Sequence, residues 1–248
     1  MRSARARQVG LLLVAGAMVL QGCNRSDPPA DQIEQAVSDT VDQIEETPQP
    51  EGPFAPRDEC AKVAGASPFL AEIRSAVSAR DTAAFVALAA EDVKLDFGGG
   101  AGHDQLRSML STDSAALWAK LDQLMTLGCA SDGDALITLP WYFAQDISAD
   151  PYTGMIVTGA GVPVHETAAE QAPVIAAISW DVVELIDGVS EDSGFAHVRW
   201  QRRESPATKP TVIEGYIDAT RLRSLIDYRL LAASRNGKWR ITSLIAGD

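Results

Sequence analysis

The sequence predicts an α+β fold: helices and an antiparallel sheet combined with a small β-barrel, behind a disordered tether. Three observations carry this reading. Apolar residues recur at helical spacing between residues 66 and 125, they alternate in short strand-like runs from 155 to 222, and large apolar side chains are sparse between 24 and 59.

In chain order, residues 1–22 combine a basic stretch holding Arg2, Arg5 and Arg7 with an apolar run over 9–20. That run is too short to span a bilayer as a helix and has the layout of a secretory signal. It closes on Leu20-Gln21-Gly22-Cys23. These four residues resemble the lipobox of bacterial lipoproteins, with Gln21 departing from the usual small residue. The resemblance implies that the thiol of Cys23 receives a diacylglycerol, that the signal is cut before it, and that the new amino terminus is acylated with a fatty chain such as palmitate. Asn24, where an inner-membrane sorting signal would have Asp, implies the outer membrane, with the protein lipid-anchored on the periplasmic face of the cell envelope. An ordinary signal peptide for soluble secretion is the other reading of the same residues.

Residues 23–59 form an acidic, proline-rich tether. Pro28, Pro29, Pro48, Pro50, Pro53 and Pro56 accompany ten acidic residues, a composition that cannot bury enough surface to fold alone. Ile33, Val37, Val41 and Ile44 fall at helical spacing within it, as a frayed helix or a self-associating coil. Removing the signal takes away three arginines and moves the net charge from −13 to −16. Such a chain will not follow nucleic acid by counterion release, and anionic headgroups repel it, which makes acyl chains the natural membrane attachment.

Of the three cysteines, Cys60 and Cys129 remain once Cys23 carries lipid. In an oxidising compartment a disulfide between them is expected, with two buried free thiols as the alternative. Zinc is disfavoured, since no Cys-x-x-Cys occurs and His103, His165 and His197 stand singly.

Folded sequence is expected from about Cys60. Ser67-Pro68 has helix-start chemistry, followed by Phe69, Ile73 and Val77 on one face, and Asp81 caps a second helix carrying Phe85 and Leu88. Residues 93–97 alternate as a strand, the glycine run 98–102 ends it, two helices follow over 104–110 and around 117–125, and a further strand is expected over 135–143 with Trp141 and Phe143 on one face. The glycine run lies between a strand and a helix, where phosphates are often held, with His103 and Arg107 just beyond. It lacks both the P-loop and the dinucleotide spacing, so a flexible turn is the plainer reading.

From residue 155 short strands take over: 155–158, 162–165, 173–178, 181–186, 194–199 and 214–217. The phrases Pro173-Val174-Ile175, Asp181-Val182-Val183-Glu184-Leu185, Gly194-Phe195-Ala196-His197-Val198 and Gly215-Tyr216-Ile217 resemble bacterial SH3 (SH3b) domains over about 155–222. His165 stands where arginine is usual and Phe195 where tryptophan is usual, and the 200–212 hairpin is enlarged around Arg202, Arg203 and Lys209. The resemblance implies binding of peptides or peptidoglycan, not catalysis, on a shallow aromatic surface. Trp180, Trp200 and Tyr216 are the ligand-surface candidates, barrel packing being their other reading.

Asn236-Gly237 between two strand-like runs predicts a closing hairpin. With the opening helices and the 93–97 strand it loosely resembles nuclear transport factor 2-like cone folds. On that reading residues 60–150 with 225–248 form one domain and the barrel is inserted in it; a barrel appended in series is the alternative. A strand around Leu95 beside a strand around Ile241 would favour insertion. Cavity candidates are Asp96, His103, Asp146 and Asp150, which share no catalytic spacing, and no nucleophile elbow or metal box is present. The expectation is a non-enzymatic envelope lipoprotein, without cofactor, that binds peptidoglycan or an envelope protein. Small-molecule binding or hydrolysis in a cone-like cavity is the alternative.

Overall fold

In the computed structural model, which describes residues 51–112, 114–189, 193–203 and 209–247, the helical periodicity becomes four α-helices packed on one face of a mixed sheet. Cys23, the signal and the apolar run at 33–44 lie outside the described residues. The helices are α1 (Ala66–Ala79), α2 (Thr82–Ala87), α3 (His103–Thr112) and α4 (Ser114–Met125). Asp81 caps α2 as expected, its carboxylate accepting from the Ala84 N–H at 2.9 Å. Helix α1 starts differently. Gly65, at φ +74°, occupies the N-cap without a side-chain bond, and Ser67-Pro68 lies inside the first turn.

Three strands precede the barrel-like segment: β1 (Ala89–Lys94), β2 (Ala130–Ser131) and β3 (Leu136–Leu139). Strand β1 begins earlier than the alternation at 93–97 suggested and ends at Lys94, leaving Phe97 half exposed beyond it. The expected strand over 135–143 also stops short. Pro140 follows Leu139 through a cis peptide bond, and Trp141–Ala144 forms a 3-10 turn. Trp141 is therefore buried and Phe143 exposed, so the pair does not share a face.

The next seven strands are β4 (Gly154–Val157), β5 (Val162–His165), β6 (Val174–Ile178), β7 (Val182–Val189), β8 (Phe195–Arg202), β9 (Thr211–Asp218) and β10 (Leu222–Ser224). They make an all-antiparallel sheet in the order β10-β4-β7-β8-β9-β5-β6, a curled half-barrel whose edges are β10 and β6. Its concave face encloses Val157, Val164, Ile178, Val198, Trp200 and Ile217. The chain then returns as β11 (Arg229–Arg235) and β12 (Lys238–Ile245), joined through Asn236 and Gly237 at φ +53° and +75°, the left-handed pair a two-residue hairpin requires. These complete the five-stranded sheet β1-β12-β11-β3-β2. Ala89 faces Ile241 in a parallel pairing of β1 with β12, so this sheet is built from chain on both sides of the half-barrel segment.

Beneath the helices Phe69, Ile73, Phe85, Trp118 and Leu121 pack with Ile137, Leu230 and Ile241. A smaller cluster joins the two sheets: Leu127, Trp141 and Tyr142 meet Ile156 of β4, with Phe54 and Trp180 at its rim. At this junction Arg223 of β10 is buried, its side chain 1% exposed, and it donates to the Tyr142 hydroxyl at 2.8 Å, to Gln123 of α4 at 2.9 Å and to Asp227 at 2.9 Å. Lys120 adds a second cation on Asp227 at 2.6 Å. A buried guanidinium with partners on several elements ties the two sheets together, because displacing one against the other would leave buried donors unsatisfied.

The tether's last residues belong to the fold, ahead of the expected start at Cys60. Phe54 donates its N–H to the Trp180 carbonyl at 2.9 Å, Ala55 is buried, and Arg57 and Glu59 exchange main-chain bonds with Cys129 at 2.8 and 2.9 Å. Arg57 lies over the Trp141 ring, whose indole N–H reaches Glu59 at 2.8 Å. Cys60 and Cys129 meet at disulfide distance, their Cα atoms 5.8 Å apart, and tie this strap to the residue before β2.

Candidate functional site

Strand parity decides which side chains of the half-barrel are available. In β8, Ala196, Val198 and Trp200 point into the concave core, so Phe195, His197, Arg199 and Gln201 face outward. The outward face of β4 and β10 is covered by the junction with the five-stranded sheet. Further along, the outward face of β7 and β8 parts from the 146–149 loop and from the strap, leaving a cleft of about 540 Å³. Phe54 forms one wall and Asp146 another, while Asp181, Glu184, Arg199 and Arg203 supply charges of both signs.

Asp181 is held in place: its carboxylate accepts from its neighbour's N–H and from the Trp200 indole at 2.8 Å. Arg199 is drawn to Glu214 across the sheet at 2.9 Å. Beyond Arg199 the same face carries His197 stacked on Tyr216 at 4.7 Å, with Asp187 3.1 Å from the imidazole, and then Phe195 edge-on to His165 at 5.7 Å. The cleft thus opens onto an aromatic strip.

The three aromatic candidates take different places. Tyr216 lies on the outward strip, stacked rather than buried in the core. Trp200 is 8% exposed, belongs to the concave core and touches the cleft only by holding Asp181, so it offers no face to a ligand. Trp180, at φ +45°, is half-buried in the junction cluster and holds the strap through its carbonyl.

The cavity candidates also separate. Asp96 spans the glycine run, accepting from the N–H groups of Gly98 and Gly100 at 2.8 and 2.7 Å. The Gly100 bond, then that of Gly98, then Gln105, holds its carboxyl below the ordinary aspartate range. Those amides already hold an internal anion and do not form a phosphate cradle. Asp150 caps the turn before β4 through the N–H groups of Tyr152 and Thr153, and Asp146 lines the cleft. His103 lies on a separate hollow with Glu91 and Asp92, outside a core that apolar side chains fill. Among the described residues no cluster of three or more His, Cys, Asp or Glu side chains is placed to hold a metal, and no helix is long and apolar enough to cross a membrane.

Of the cleft residues, sequence reasoning named Asp146 as a cavity candidate and Arg203 as part of a basic hairpin, and missed Phe54, Glu184 and Arg199. The available signal was the polar half of the β8 alternation, Arg199 and Gln201 on either side of a core tryptophan. No protein-family model matches this sequence, and no curated protein matches it.

Proposed function

We propose that this protein is a lipid-anchored, non-enzymatic component of the bacterial cell envelope whose SH3-like half-barrel binds an extended peptide carrying both signs of charge, from peptidoglycan or from an envelope protein. The observation that supports this most is the cleft on the outward face of β7 and β8. It is open, is lined by carboxylates and guanidinium groups, and continues into the Tyr216 strip. Such a surface suits a flexible zwitterionic chain: charged ends are matched electrostatically, and aromatic rings add contact area at low entropy cost. The described residues of the cleft offer a phenylalanine ring and charges of both signs, groups suited to recognition.

The anchor rests on Leu20-Gln21-Gly22-Cys23, and the tether sets the reach of the binding domain from the membrane. Cells fed radioactive palmitate are expected to yield a labelled product that Cys23→Ser abolishes. The delipidated protein is expected to sediment with purified peptidoglycan or, failing that, to crosslink to one envelope protein. Arg199→Ala and Tyr216→Ala should each weaken the interaction about tenfold with the fold intact. Unaltered binding in both variants would remove the cleft from the account.

A further inference from the structure

We propose that a second site lies behind the β11–β12 hairpin and takes a small zwitterion, an acidic group at one end and an ammonium at the other. The hairpin's parity creates it. Leu230, Ala232, Trp239 and Ile241 turn into the core, so Arg235, Lys238, Arg240 and Thr242 turn to the other face. Ala89, Ala90 and Ala233 form the floor, and their short side chains leave a hollow of about 530 Å³.

Two features mark this hollow as made for a ligand. The first is a like-charge pair. Arg235 and Lys238 are direct cross-strand partners, an arrangement that costs stability, and among the described residues neither has an ion-pair partner. Arg240, opposite Ala233, bonds only to the carbonyl of Trp239 next to it, at 2.8 Å. In a strongly acidic protein three cations stand together here with no ion-pair partner among the described residues.

The second feature is charge separation. Glu91 and Asp92 of β1 line the same hollow, yet neither forms an ion pair with the cations among the described residues. The cations of β11 and β12 therefore make one wall of the hollow and the carboxylates of β1 another. An anion alone meets the carboxylates and a cation alone meets the guanidiniums; a zwitterion satisfies both walls. His103 adds a group at the base, its Nε2 3.2 Å from the Ala89 carbonyl oxygen, which fixes the ring where α3 begins.

The test titrates the full-length protein with matched probes: 6-aminohexanoate against hexanoate and hexylamine, and phosphoethanolamine against inorganic phosphate and ethanolamine. Both zwitterions are expected to bind about tenfold or more tightly than their single-charge counterparts, and the better of the two identifies the acidic group as carboxylate or phosphate. Arg240→Ala and Glu91→Gln should each lower that affinity at least about fivefold, while Arg235→Ser, by relieving the like-charge pair, should leave the thermal midpoint unchanged or higher. Equal affinity for hexanoate and 6-aminohexanoate, insensitivity to Glu91→Gln, or no saturable binding of either zwitterion would overturn the proposal.

Discussion

The five-stranded sheet and the half-barrel bury their apolar surface in opposite ways. The first lays one face against four helices and encloses large side chains such as Phe85, Trp118 and Leu121 between layers. The second curls its sheet around its own concave face, where Val157, Val164, Ala196 and Val198 form one cluster with Trp200. Curling needs no covering layer, so most of the outward face of β7, β8 and β9 is left to solvent, and the cleft and aromatic strip lie there. Large side chains are enclosed where two layers meet, and the sheet that encloses its core alone leaves its outward face open for the recognition proposed above.

The largest test of that contrast is in the cores. Phe85→Ala, at a site with no exposure and edge-on to Trp118, should cost about 3–5 kcal/mol in urea unfolding, and Val198→Ala clearly less, because fewer methyl groups are lost. If Val198→Ala costs as much, the half-barrel is not the lighter-packed region. Nearly as large is the disulfide. Opening a link across 69 residues should destabilise by about 4 kcal/mol on the chain-entropy model, read as a shifted denaturant midpoint on reduction.

Arg223→Ala probes the junction itself. It leaves Asp227 with Lys120 but strips Tyr142, Gln123 and the Tyr228 carbonyl of their donor, and a loss of about 3–5 kcal/mol is expected. Wild-type protein should unfold in one transition by fluorescence and far-ultraviolet dichroism, and this variant in two. A single transition in the variant would mean that the apolar cluster around Trp141 suffices to couple the sheets.

Smaller effects come from acid. The carboxyls of Asp96, Asp132 and Asp218 are held below the ordinary range by hydrogen bonds to Gly100, to Asp134 and to Thr220 respectively, before any other cause. A lowered folded pKa contributes stability above the unfolded value of about 4 and loses it as pH falls through the lower folded values. The urea midpoint should therefore hold from pH 7 to 5 and drop towards pH 2, with a shallower drop in Asp96→Asn. A midpoint that rises below pH 4 would contradict the assignment.

Much of the architecture was legible because it follows from periodicity. The Asp81 cap, the helical faces, most of the half-barrel strands and the Asn236-Gly237 turn are local patterns. What escaped was long-range. Nothing around Leu222-Arg223-Ser224 signals that this arginine will be buried, since its partners come from α4, the 3-10 turn and the turn before β11. Proline and acid content marked the strap as tether, yet Pro53 and Phe54 become a wall of the cleft once Cys60 is held at Cys129. Trp141 and Phe143 looked like residues of one strand face, but β3 ends at Leu139 and they fall in the 3-10 turn that follows Pro140. Of the site, the β8 alternation held an unread signal for Arg199 and Gln201, and only the fold showed that they share a cleft with Asp146 and Phe54.

The most direct test places a photoreactive residue at Gln201, in the cleft, or at Glu72, on the exposed side of α1, and irradiates living cells producing the full-length protein. The account predicts a discrete adduct with peptidoglycan or one envelope protein from Gln201 and none from Glu72. Adducts from Glu72 alone, or equally from both positions, would contradict it.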